Sequence, residues 1–254
     1  MSNDLLLKMT SRTDEYLDSV QERSALPTEA SFAVEAHHIA PPADDALFKY
    51  VSESTWSHIE AGSFQLGSCD YYQSIEDDSA RDIREGECMV ALRNGPDQVN
   101  LGVRSGFNCA LFCGTSAPHD DAEMKRKFGG RILRISPLSE FAEALRKRIR
   151  ANRAFVRDVV YTNGKTAVLD HPDASALRSY CATMRDGVLD IKGLNRKFFE
   201  LFYEVGLVTT LFVKPTRYAH ERERRVVLER DKDLPTQTIR FKDRSLLQYI
   251  ELVQ

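Results

Sequence analysis

Two carboxylates two residues apart, Glu221 and Glu223, with Arg225 next in the alternation, carry the densest chemical signal in the chain. They stand in "FVKPTRYAHERERRVVLERD", residues 212–231, where acids and bases alternate and then give way to Val226, Val227 and Leu228. The sequence predicts a strand over 222–229, on which side chains alternate between faces. Glu221, Glu223, Arg225 and Val227 would then share one face, and Arg222, Arg224, Val226 and Leu228 the other. Neighbouring carboxylates raise each other's pKa or share a substrate hydroxyl, and an adjacent arginine holds one of them ionised. The competing expectation is an exposed edge strand guarded by charge against aggregation.

A second acidic stretch, "DYYQSIEDDSARDIREGE" at 70–87, has seven acids against two bases. Glu76, Asp77, Asp82 and Glu85 would suit a hard cation such as Mg²⁺. The same acids would equally cap helix N-termini and pair with Arg81 and Arg84, and that is the favoured expectation because the register of a calcium loop is missing. Cys109 and Cys113 lack a second pair or a nearby histidine, so no zinc site is expected. His119, in "TSAPHDD", reads as a turn residue, whereas His220 lies beside Glu221. No dinucleotide fingerprint, P-loop, H-E-x-x-H or G-x-S-x-G motif is present.

The elements that must position these residues follow from periodicity. Residues 1–25 read as an amphipathic helix and 26–46, with Pro27, Pro41 and Pro42, as a linker or loosely packed arm. A single domain is expected over 47–254. It opens with a strand at 47–51, a helix ending at Gly62 and a strand at 63–68. Strands follow at 88–92, 99–104, 109–114, in "GGRILRIS" and at 155–162. Helices are predicted after Pro137, over 173–186 and over 193–210, and strands at 236–241 and 246–252. Helices inserted among many short strands favour α+β with a mixed or antiparallel sheet core over a doubly wound parallel sheet.

Composition narrows the class. A net charge of -3 gives no global nucleic-acid or membrane footprint, although 120–157 has eleven Lys/Arg against five Asp/Glu. No apolar run is long enough to span a bilayer. Met1-Ser2-Asn3-Asp4 lacks the basic start of a secretory leader, so a cytoplasmic protein with five reduced cysteines is expected.

"LFKYVSESTWSHIEAGSFQLGS" resembles the opening of a bacterial and phage family of unknown function, number 2971. Its members begin with a strand, a short helix ending in Gly and a second strand. Asp82-Ile83-Arg84-Glu85-Gly86 is similar to that family's acidic turn, "CALFCGTS" to its Cys–Phe strand and Val159-Val160-Tyr161 to its V-x-Y strand. Lys214, Tyr218, Glu221, Glu223 and Arg225 match its closing motif. The resemblance runs over about residues 47–230. The opening unit is also similar to ADP-ribosyltransferase-like domains. That likeness implies NAD as the glycosyl donor, with Tyr50 against the nicotinamide ribose and Glu223 as the late-strand catalytic acid. The nicotinamide pocket would be lined by Tyr71 or Tyr72, or by Thr115-Ser116, with Lys49 or Arg81 near the diphosphate and Arg225 orienting the Glu pair. Tyr50 stands where such domains usually carry His or Arg.

The expected activity is thus ADP-ribosyl transfer to a protein or nucleic-acid acceptor, in a defence or toxin setting. The alternatives are a protein-binding module and a metal-dependent nuclease or phosphotransferase. Catalysis requires Tyr50 and Glu223 to meet in one cleft. Binding alone requires Glu221 and Glu223 to face solvent or to be consumed by salt bridges with Arg222 to Arg225.

Overall fold

A computed structural model describes residues 33–35, 39–74, 85–117, 122–182, 191–232, 234 and 237–253. The predicted helix at 1–25 lies outside the described residues, as do Arg81, His119 and three of the four candidate metal ligands.

In chain order the elements are β1 (Ala33–Glu35), β2 (Leu47–Val51), α1 (Glu53–Glu60), β3 (Ser63–Gly67), α2 (Cys69–Ser74), β4 (Glu87–Asn94), β5 (Asp97–Arg104) and β6 (Cys109–Thr115). Next come α3 (Ala122–Phe128), β7 (Arg131–Ile135), α4 (Leu138–Ile149), β8 (Arg153–Asp158), β9 (Val160–Thr162), β10 (Thr166–Asp170) and α5 (Asp173–Cys181). The chain closes with α6 (Ile191–Phe212), β11 (Val213–Pro215), a 3-10 turn (Thr216–Glu221), β12 (Glu223–Glu229), β13 (Thr238–Lys242), a second 3-10 turn (Arg244–Tyr249) and β14 (Ile250–Leu252).

The fold is α+β, as the sequence predicts. Its core is an eight-stranded sheet, antiparallel throughout, in the order β13-β3-β6-β2-β7-β14, with β12 beside β6 and β8 beyond β12. A second sheet runs β1-β10-β4-β5, parallel except for the β4–β5 hairpin, and β9 pairs with β11 in parallel.

Local sequence explains the best-defined pieces. Ser52 caps α1 by accepting from the Thr55 amide at 3.2 Å, and the chain leaves through Gly62 at φ +78°. Leu138, Phe141, Ala142, Leu145 and Ile149 form the apolar stripe of α4, which packs on Leu47, Phe112, Val226 and Leu228 of the large sheet. The opposite face of that sheet, through Leu111 and Val227, meets Leu207, Leu211 and Phe212 of α6.

The sheet forks at β6. β12 occupies one edge of β6 from Glu223↔Thr115 to Glu229↔Cys109. β3 and β2 therefore share the other edge, touching it at Leu111 and Thr115 respectively. Between these contacts the strands diverge. Gly114 sits at the narrow side of the fork, where a Cβ would lie 2.3 Å from Leu47 Cδ2 and 2.4 Å from the Phe48 carbonyl oxygen.

Several elements depart from the sequence reading. Residues 155–162, expected as one strand, break at Val159, because β8 serves the large sheet and β9 turns away to pair with β11. The last predicted strand is mostly a 3-10 turn, whose start is set by Asp243 accepting from the Ser245 amide at 3.0 Å. β1, β10, β11, α2 and α3 carry too little periodicity to be foreseen. The 26–46 stretch contributes β1 and a buried Ile39, and its Asp45 accepts from the Ser139 amide at 2.7 Å at the start of α4.

Candidate functional site

β12 alternates as expected from Glu223 onward. Glu223, Arg225 and Val227 point to one side, and Arg224, Val226 and Leu228 to the other. Two expectations are corrected. Arg222 is not in the strand: it has φ +43° and closes the preceding 3-10 turn, so Glu221 reaches the site from the end of that turn. Nor is β12 a charged edge, since strands flank it on both sides and every residue in it is buried.

Burial forces every charge here to find a partner. Arg225, 2% exposed, uses all five N–H groups. Its Nη1 and Nη2 donate to Glu85 Oε1 and Oε2 at 2.7 and 2.9 Å. Nε and Nη2 donate to Glu223 at 2.8 and 3.2 Å, and Nη1 also donates to the Leu211 carbonyl at 2.5 Å. Lys214 Nζ, on β11, donates to Glu223 Oε2 at 2.9 Å and to Glu221 Oε2 at 3.1 Å, and lies over the Tyr218 ring. Lys127 Nζ, from α3, donates to Glu221 Oε1 at 2.6 Å. Acid and base thus alternate through six side chains: Glu85, Arg225, Glu223, Lys214, Glu221 and Lys127.

For Glu223 this order overturns the expectation that a neighbouring carboxylate raises its pKa. Burial alone would raise that of Glu223, but Arg225 and Lys214 outweigh it and hold the carboxyl well below the usual range. Burial would lower Lys214, and Glu223 and Glu221 overcome that, holding it strongly protonated. Glu223 is therefore a fixed carboxylate. Its oxygens accept three N–H bonds, and the Cys113 thiol hydrogen-bonds the same carboxylate. It suits stabilisation of a developing cation, not proton donation. Burial raises the Cys113 thiol to about 12, so it stays protonated, and burial likewise raises the Tyr161 hydroxyl that accepts from the Glu223 amide at 2.7 Å.

Next to this network lies a cavity of about 130 Å³. It is bordered by Lys49 and Tyr50 of β2, Tyr72 of α2, Cys113 and Thr115 of β6, and the carboxylates Glu221 and Glu223 with Arg225. Tyr50 and Glu223 thus converge in one pocket. The two glutamates are also consumed by salt bridges, with Lys127, Lys214 and Arg225. Of the two tyrosines considered for the second position, Tyr72 borders the cavity and Tyr71 does not. Ser116 does not border it either: its amide donates to the Arg222 carbonyl at 2.9 Å, and Thr115 lines the pocket instead. Among the described residues His220 Nε2 is buried without a hydrogen-bond partner, and the side chain does not line the cavity.

The sequence reading did not place Glu85, Lys214 or Lys127 in the site. Lys214 had a signal: a lysine between Phe212-Val213 and Pro215 sits in an apolar run and needs a buried counter-ion. Glu85, considered as a metal ligand, has both oxygens held by Arg225. Among the described residues no group of three or more His, Cys, Asp or Glu side chains is arranged to hold a metal ion, and no helix is long and apolar enough to cross a membrane.

No family model matches the chain, and neither the curated proteins nor the solved structures give a match.

Proposed function

We propose that this pocket promotes glycosyl transfer from NAD⁺ in the manner of ADP-ribosyltransferase-like domains, and that the chain is a divergent relative of the family of unknown function 2971, acting in bacterial or phage defence or as a toxin. The reading rests on one observation: an early-strand tyrosine, Tyr50, and a late-strand carboxylate, Glu223, border the same cavity. A space of about 130 Å³ is comparable to an engineered cavity that holds one benzene ring. It suits the nicotinamide end of the donor, with the remainder outside. As the nicotinamide leaves, positive charge develops on the ribose, and a carboxylate already desolvated and fixed in place stabilises it without reorganising. Tyr50 and Tyr72 supply the aromatic walls. The acceptor is a protein or a nucleic acid.

Nicotinamide release and label transfer from labelled NAD⁺, comparing the wild type with Glu223→Gln and Tyr50→Ala, test the reading. Loss on the order of a hundredfold in variants that remain folded at the assay temperature supports it. Turnover equal to wild type in Glu223→Gln rejects it. A second reading, a binding module without catalysis, is favoured by the engagement of Glu221 and Glu223 in ion pairs. It predicts no nicotinamide release at all.

A further inference from the structure

One cation in the pocket stands outside the alternating network. Arg225, Lys214 and Lys127 are matched against Glu85, Glu223 and Glu221. Lys49 has no carboxylate within ion-pair distance among the described residues. Its Nζ donates to the Cys113 carbonyl at 2.6 Å and lies 4.7 Å from the centre of the Phe112 ring, both neutral groups.

The fork explains its position. Strand alternation puts Lys49 with Leu47 and Val51, which belong to the core under α4. Cys113 lies where β2 and β3 have parted, so its carbonyl has no strand partner on that edge. The Lys49 amine reaches into this gap at the Cys113 carbonyl, and Lys49 is one of the residues bordering the cavity. Phe48 and Tyr50, of opposite parity, reach the same cavity.

We propose that Lys49 is a nucleophilic amine that condenses with a small aldehyde or ketone entering this cavity. The nitrogen lone pair adds to the carbonyl carbon to give a carbinolamine. Both amine hydrogens then leave on the former carbonyl oxygen as water, and an imine remains. No oxidant or reductant takes part. The step needs an uncharged amine, and burial lowers the Lys49 pKa from its ordinary value, opposed by Cys113 and Glu223. The groups facing it are the protonated thiol of Cys113, the neutral hydroxyl of Tyr72, and the carboxylates Glu85, Glu221 and Glu223. Arg225 and Lys214 are paired with those carboxylates. This chemistry is independent of the NAD reading.

The test treats the full chain with glyoxylate and cyanoborohydride, which reduces the imine to a stable secondary amine, and maps the label by peptide mass spectrometry. At pH 7, Lys49 is expected to react faster than the exposed Lys147 and Lys232. Its advantage should grow from pH 9 to pH 7, because burial favours the neutral amine of Lys49. Lys49→Arg retains a donor for the Cys113 carbonyl and should lose the pocket label at an unchanged melting temperature. A wild-type Lys49 that labels no faster than Lys232, or whose advantage does not grow at lower pH, overturns the proposal and leaves a structural cap on the forked strand. The wild-type measurement decides even where the variant does not fold.

Discussion

The Lys214 ammonium lies 2.9 Å from the Glu223 carboxylate and 3.1 Å from that of Glu221, so one cation separates two acids that the sequence sets side by side. The like-charge contact becomes two opposite-charge contacts. Glu223 is thereby fixed as an acceptor, and its place in any mechanism follows from that protonation state.

Arg225 is the most heavily committed side chain in this network. Arg225→Met leaves Glu85 and Glu223 as buried carboxylates without their main partner. Loss of one member of a buried ion pair costs about 3–5 kcal/mol. Arg225→Lys should recover only part of this, since an ammonium lacks the planar fork that grips Glu85 through two bonds. Guanidinium denaturation of both variants checks the order. A methionine variant as stable as the wild type contradicts the assignment.

Lys127 marks the outer end. Lys127→Met removes one partner of Glu221 while Lys214 keeps the other, so the loss should be smaller, about 1–3 kcal/mol. Equal losses at Lys127 and Arg225 would show that the network is not graded from outside to inside.

The pH dependence has a defined sign. Glu223 is depressed in the folded state, so its contribution to stability is complete above its ordinary value of 4.5 and is lost as pH falls from there toward the folded value. Lys214 is raised, so its contribution is complete below 10.5 and is lost only as pH rises toward its higher folded value. Denaturation midpoints should therefore form a plateau between these limits. Below pH 4.5 the wild type should lose stability more steeply than Glu223→Gln, and parallel curves would refute the coupling.

Gly114 tests the fork. A methyl group there meets Leu47 Cδ2 and the Phe48 carbonyl at van der Waals overlap, so Gly114→Ala should cost about 1–3 kcal/mol. Gly130, where an added methyl would have nothing within 4 Å, serves as the neutral control. Thermal melts of the two variants should differ clearly.

Arg224 tests the arm before β2. Its guanidinium pairs bidentately with Asp158 at 2.5 and 2.9 Å and also holds Asp44 and the Ala46 carbonyl. Arg224→Met should release residues 39–46, seen as faster limited proteolysis there than in the wild type. An unchanged cleavage rate would show that Ile39 and the Asp45–Ser139 bonds suffice.

By itself the sequence determined the elements whose pattern is local: β2 with α1 and its terminal glycine, the stripe of α4, and the alternation of β12 that puts Glu223 and Arg225 on one side. It also singled out Tyr50 and Glu223. Tertiary structure decided the rest. Glu85 joins Arg225 from across the domain and Lys127 joins Glu221 from a helix of one short stretch, and neither pairing leaves a mark in neighbouring residues. The protonation states of Glu223 and Lys214, and the place of Lys49 in the fork, depend on which strands share an edge of β6. Periodicity reports which face a side chain takes, whereas burial and charge pairing are set by what the fold brings against that face.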